Sequence, residues 1–127
     1  MDNPRPEKVA VVEEVRGRFD AAQAAVLTEY RGLTVSAMSE LRRSLRAAGG
    51  DYKIYKNTLV RFAARDLGLP LDDLLTGPTA IAFVDGDPVN VAKALRDFAR
   101  GNPNLVVKGG LLGEAVLDAD GMKALAE

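Results

Sequence analysis

Apolar residues recur along this chain with two alternating periods, and the alternation predicts its elements. After Pro6, which suits the first turn of a helix, Val9, Val12, Val15 and Phe19 fall near helical spacing, so an amphipathic helix is expected over residues 6–19. AAVLTEY, residues 24–30, follows as a strand. Thr34 can cap a second helix whose Val35, Met38, Leu41, Leu45 and Ala48 form one stripe, with Gly49 and Gly50 ending it. DYKIY, residues 51–55, returns as a strand, with Lys53 and Tyr55 on one face and Tyr52 and Ile54 on the other. Asn57 is expected to cap a third helix that turns Leu59, Phe62 and Ala63 inward and stops at Gly68 and Pro70.

Gly77 and Pro78 introduce TAIAFV, the most apolar strand candidate and the expected centre of the sheet. In DGDP, residues 85–88, Asp87 caps and Pro88 opens a helix with Val91, Leu95 and Phe98 on one side, closed by Gly101 and Pro103. LVVKGGLLG is strand-like with glycines that suggest a bend or bulge, and residues 118–127 begin a C-terminal helix. Strands alternating with helices predict a single α/β domain over residues 1–127, a layered mixed β-sheet packed with amphipathic helices. The pattern leaves strand order open.

Composition removes whole classes of chemistry. The 127 residues contain neither cysteine nor histidine, which excludes disulfides, thiolate nucleophiles, histidine-dependent triads and imidazole metal sites. No GxxxxGK[ST] phosphate loop occurs, and GGLLG at residues 109–113 is only a fragment of a dinucleotide fingerprint. Asp72 with Asp73, and Asp85 with Asp87, are explained as turn and cap residues without a metal. The expectation is a protein that is not an enzyme and has no cofactor or metal. The charged N-terminus is unlike a signal peptide, and no apolar run approaches the ~18 residues of a membrane span, so the expected location is cytoplasmic.

Charge changes the picture again. The overall balance is −1, yet residues 31–65 carry eight basic and two acidic side chains. A basic block inside an acidic chain provides a local field for a polyanion. Arg42, Arg43 and Arg46 fall on one flank of the second helix, beside the apolar stripe. Lys56 stands at the start of the third helix, where free backbone amides favour an anion, and Arg61 and Arg65 lie one turn apart along it. With Lys53, and with Tyr55 able to stack or hydrogen-bond at its edge, these residues form a phosphate-binding rim without any base-reading code.

EYRGLTVSAMSELRRSLRAAGGDYKIYKNTLVRFA resembles the characteristic segment of the bacterial large-subunit ribosomal protein ten family, the stalk-base proteins, and the likeness continues through GPTAIAF and VKGG. The resemblance implies an α/β domain that binds large-subunit (23S) ribosomal RNA at the GTPase-associated centre, beside ribosomal protein eleven. It places the family's RGLT turn on Arg31, Gly32 and Thr34, its arginine helix on Arg42, Arg43 and Arg46, and its KNT turn on Lys56, Asn57 and Thr58. It further implies a longer C-terminal helical extension, absent from residues 1–127, through which the family anchors the acidic stalk dimers that recruit translational GTPases. Ribosomal RNA binding is thus the leading expectation; the alternative is an interaction module whose basic rim meets an acidic protein.

Overall fold

The computed structural model describes residues 6–113 and 115–125. Among them, five strands pair in the order β2-β3-β1-β4-β5, with β1 at Ala24–Glu29, β2 at Gly50–Ile54, β3 at Ala80–Val84, β4 at Val106–Leu112 and β5 at Ala115–Asp118. Every pairing is antiparallel, so the layered α/β class is as expected while its sheet is not mixed. The centre is β1 and not TAIAFV. Both strands are buried on both faces, and an unbroken apolar run marks any interior strand without saying which is in the middle. The short strand β5 carries little periodicity and was not anticipated.

Side-chain alternation divides the core between the two faces of the sheet. Ala25, Leu27, Ile81 and Phe83 meet helices α1 (Pro6–Ala21) and α3 (Asn57–Asp66), through Val15, Phe19, Val60 and Ala63. Val26, Tyr52, Ala82 and Val84 meet α2 (Val35–Ala47), α4 (Pro88–Gly101) and α5 (Ala119–Ala124), through Leu41, Leu45, Val91, Leu95 and Met122. Each fully buried leucine in these layers stabilises the fold by roughly 1.5–3 kcal/mol relative to an exposed one.

Caps confirm part of the helix reading. Thr34 Oγ1 accepts from the Ala37 amide at 3.0 Å, and Asp87 Oδ1 from the Val89 amide at 2.9 Å with Pro88 at the first position. The expected C-terminal helix is present over Ala119–Ala124, capped by Asp118; residues 126 and 127 lie outside the described residues. Gly50 does not end α2 but begins β2.

Three apolar residues expected inside are outside. Val35 is 85% exposed, Phe62 56% and Val9 43%. At about 100° per residue, Val35 lies roughly 100° from the line defined by Leu41 and Leu45, and Val9 drifts similarly from Val15 and Phe19. In α3 the buried face is Leu59, Val60, Ala63 and Ala64. Leu59, Phe62 and Ala63 satisfied the same i, i+3, i+4 spacing, but packing selected the other stripe and left the ring in solvent.

The glycines of VKGG do make a bulge. Leu27 pairs with Gly109 and Thr28 with Val107, so Lys108 has no partner on β1. Gly109 has φ +152, and a Cβ at Gly110 would stand 2.1 Å from the Ala25 carbonyl oxygen. Only glycine permits β4 to approach β1 this closely.

Candidate nucleic-acid interface

The antiparallel pairings make β1 and β2 run in the same direction and end where β3 and β4 begin. That one end of the sheet therefore collects the RGLT turn after β1, the KNT turn after β2, the 76–79 loop before β3 and Lys108 in β4. A cleft of about 510 Å³ lies among Tyr30, Tyr55, Lys56, Asn57, Gly77 and Thr79.

Lys56, not Asn57, is the N-cap residue of α3. Its extended backbone (φ −67, ψ 134) sends its carbonyl to the Leu59 and Val60 amides at 3.0 and 3.2 Å, and no side chain caps the helix. The Asn57 side chain is turned sideways instead: Nδ2 donates to the Gly77 carbonyl at 2.8 Å, while Oδ1 is buried and accepts no hydrogen bond among the described residues. Thr79 Oγ1 donates to the same carbonyl at 3.1 Å. Lys108 Nζ donates to the Thr76 carbonyl at 2.6 Å and to Thr79 Oγ1 at 2.7 Å. Burial holds the Lys108 ammonium below the usual lysine range, opposed by the charge of Glu29.

Arg31 pairs with Glu29 at 3.0 Å and remains 72% exposed along its side chain. Gly77, at φ +67, lets the loop close over that pair, since a Cβ there would meet Glu29 Oε1 at 3.2 Å and Arg31 Nη2 at 3.4 Å. Arg31, Gly32, Lys56, Asn57 and Thr58 are thus brought to one end, with Lys56, Thr58 and Arg31 open to solvent.

The remaining rim residues lie elsewhere. Arg42, Arg43 and Arg46 run along the exposed side of α2 in the opposite layer, away from the RGLT turn; Arg46 borders a hollow with Gly49, Lys53 and Asp85 at the far end of β2. Among the described residues these three arginines, Lys53 and Lys56 have no ion-pair partner. Arg61 donates to the Leu75 carbonyl, and Arg65 pairs with Asp72 at 3.5 Å, so the two hold the ends of the 3-10 turn Asp72–Leu74, where Asp72 and Asp73 are turn residues as expected. The Tyr55 hydroxyl donates to Glu14 and its ring packs edge-on to Phe83 at 6.4 Å. Burial, then this carboxylate, raises its pKa. Tyr52 is the fully buried tyrosine, sharing a hydrogen bond with Thr28.

Charge patterning does not reveal Gly77, Thr79 and Lys108, because two are uncharged and the third stands alone among apolar residues. The Gly-Pro turn at residues 77–78 and the lysine just before two glycines were the available signals. Among the described residues, no group of three or more acidic, histidine or cysteine side chains could hold a metal ion, and no helix is long and apolar enough to cross a membrane.

Comparison with known proteins bears directly on these motifs. The family described as ribosomal protein L10 matches residues 3–100. Relatives named large ribosomal subunit protein uL10 are 56% identical in Streptomyces griseus, 55% in Cutibacterium acnes and 54% in Acidothermus cellulolyticus, over 97–98% of this chain. The chain spans 66%, 60% and 72% of those relatives' lengths, respectively. The relatives are named as ribosomal proteins and not as enzymes. By the family match and by this identity along nearly its whole length, the chain belongs to the ribosomal protein L10 family.

Proposed function

We propose that this protein is a structural constituent of the large ribosomal subunit and that the end of its sheet formed by the RGLT, KNT and 76–79 segments binds large-subunit ribosomal RNA at the stalk base. The observation that carries the reading is that Lys56, exposed, lines a cleft at the uncapped start of α3, while Arg31, also exposed, lies against Gly77 on the cleft's other wall. First-turn amides without a side-chain acceptor, next to two cations, suit phosphate oxygens. The arginines along α2 extend the positive field over the neighbouring layer and steer the polyanion. A place beside ribosomal protein eleven, and anchoring of acidic stalk dimers by the whole protein, extend the same proposal through the family.

The test is a salt titration of binding to a transcript of the stalk-base segment, with an unrelated RNA of equal length alongside. The proposal expects preference for the stalk-base transcript and a salt slope that flattens by roughly 0.7–0.9 for each phosphate contact removed. Equal binding of both RNAs, or a slope unmoved by replacing Arg31 and Lys56 together, would refute it; capture of an acidic protein in preference to RNA would favour the interaction-module alternative.

A further inference from the structure

We infer that Lys108 is a positioning residue for the RNA-binding end: left without a β1 partner by the bulge in β4, its ammonium ties the Thr76 carbonyl to the Thr79 hydroxyl and holds the 76–79 loop in its binding shape. The inference rests on the function proposed above and adds a residue that does not itself meet phosphate.

Geometry separates this lysine from the cations around it. Two of its three N–H groups are given to acceptors of the chain at 2.6 and 2.7 Å, and Lys108 is half-buried, whereas Arg31 and Lys56 are exposed. The loop it holds is where the site's other polar contacts meet. The Gly77 carbonyl accepts from both Asn57 and Thr79, which couples the start of α3 to the start of β3. Gly77 itself lies against the Arg31–Glu29 pair. Releasing the loop would therefore disturb the KNT and RGLT turns together.

VKGG acts here as one device. Lys108 is skipped in the β1 register, and the two glycines let the strand bend there while staying close to Ala25 and Leu117. The bulge re-aims a side chain that a regular ladder would have kept in register.

Lys108→Met, Lys108→Arg and Thr79→Val in the full chain test this through amide relaxation of the loop, hydrogen exchange of the flanking strands and RNA binding across salt. Lys108→Met should lower the amide order parameters of residues 76, 77 and 79 toward the flexible range, below about 0.6, while β1 and β3 keep their protection against hydrogen exchange. It should weaken stalk-base RNA binding at every salt concentration without changing the slope, and Lys108→Arg should restore both. A slope flattened by about 0.7–0.9 would make Lys108 a phosphate ligand and overturn the inference. Unchanged loop order parameters in Lys108→Met would overturn it too. If Lys108→Met loses protection throughout, Thr79→Val decides: it keeps the lysine, removes the hydroxyl acceptor, and must loosen the same loop with the same slope. A parent that shows no preference for stalk-base RNA refutes the function proposed above, whereas a parent that prefers it and a folded Lys108→Met that binds equally well refute this inference alone.

Discussion

Replacing Asn57 distinguishes the observed geometry from the cap that the sequence suggested. A capping asparagine would tolerate aspartate, which keeps the accepting oxygen, better than alanine. In the structure the side chain donates to Gly77 and its oxygen is buried without a donor among the described residues. Asn57→Ala loses one hydrogen bond, worth about 1 kcal/mol net, but also removes an unsatisfied buried acceptor whose desolvation costs about 1–3 kcal/mol, so its stability should stay within about 1 kcal/mol of the parent. Asn57→Asp loses the same bond and sets a carboxylate against the Gly77 carbonyl. The positive end of α3 returns at most about 0.3–1 kcal/mol, leaving a net cost of roughly 2–3 kcal/mol. Urea denaturation at neutral pH and low salt measures both. The introduced carboxyl should have a raised pKa, so its folded form holds the proton longer than the unfolded chain, and the deficit should shrink as pH falls toward the ordinary carboxylate range. An aspartate variant as stable as the parent and clearly more stable than the alanine variant would show that residue 57 caps α3 and that the link to Gly77 contributes nothing.

Other perturbations read other parts of the molecule. Neutralising Arg31, Lys56 or Arg43 should each flatten the salt slope of RNA binding by about 0.7–0.9, whereas Arg65→Gln, whose partner is Asp72, should leave it unchanged; equal slopes for all four would refute the division. Phe62→Ala should cost less than about 1 kcal/mol against the 2–5 kcal/mol of Leu45→Ala, and a chemical denaturation midpoint shift as large for Phe62 would place its ring in the core. Burial pushes the Tyr52 phenol up to about 12. The unfolded chain loses that proton near pH 10, so between about pH 10 and 12 the folded state binds more protons and stability falls as pH rises, by about 2–3 kcal/mol; Tyr52→Phe should remove that part of the slope, and an identical slope in the variant would refute the assignment. Gly110→Ala should unfold the domain or cost more than about 3 kcal/mol, as judged by circular dichroism, because its methyl would meet the Ala25 carbonyl.

Local patterns sufficed for what depends on neighbours in sequence. Thr34 and Asp87 were legible as caps, Tyr52 and Lys53 as opposite faces of a strand, and the glycines of VKGG as a bulge, because each follows from backbone geometry over a few residues. The basic block and the ordered RGLT and KNT motifs likewise pointed to a polyanion and to the family without any coordinates. Tertiary structure decided the rest. Periodicity offered two apolar stripes for α3, and only packing against β1 and β3 chose Val60 and Ala64 over Phe62. Charge counting joined the residues of the basic block into one rim, but the sheet separates α2 from α3, and strand order alone brings Arg31, Lys56, Gly77 and Lys108 to the same end. Asn57 shows the reason most plainly: its spacing allowed a cap, but Gly77, twenty residues away in the chain, supplied a carbonyl that the side chain binds instead.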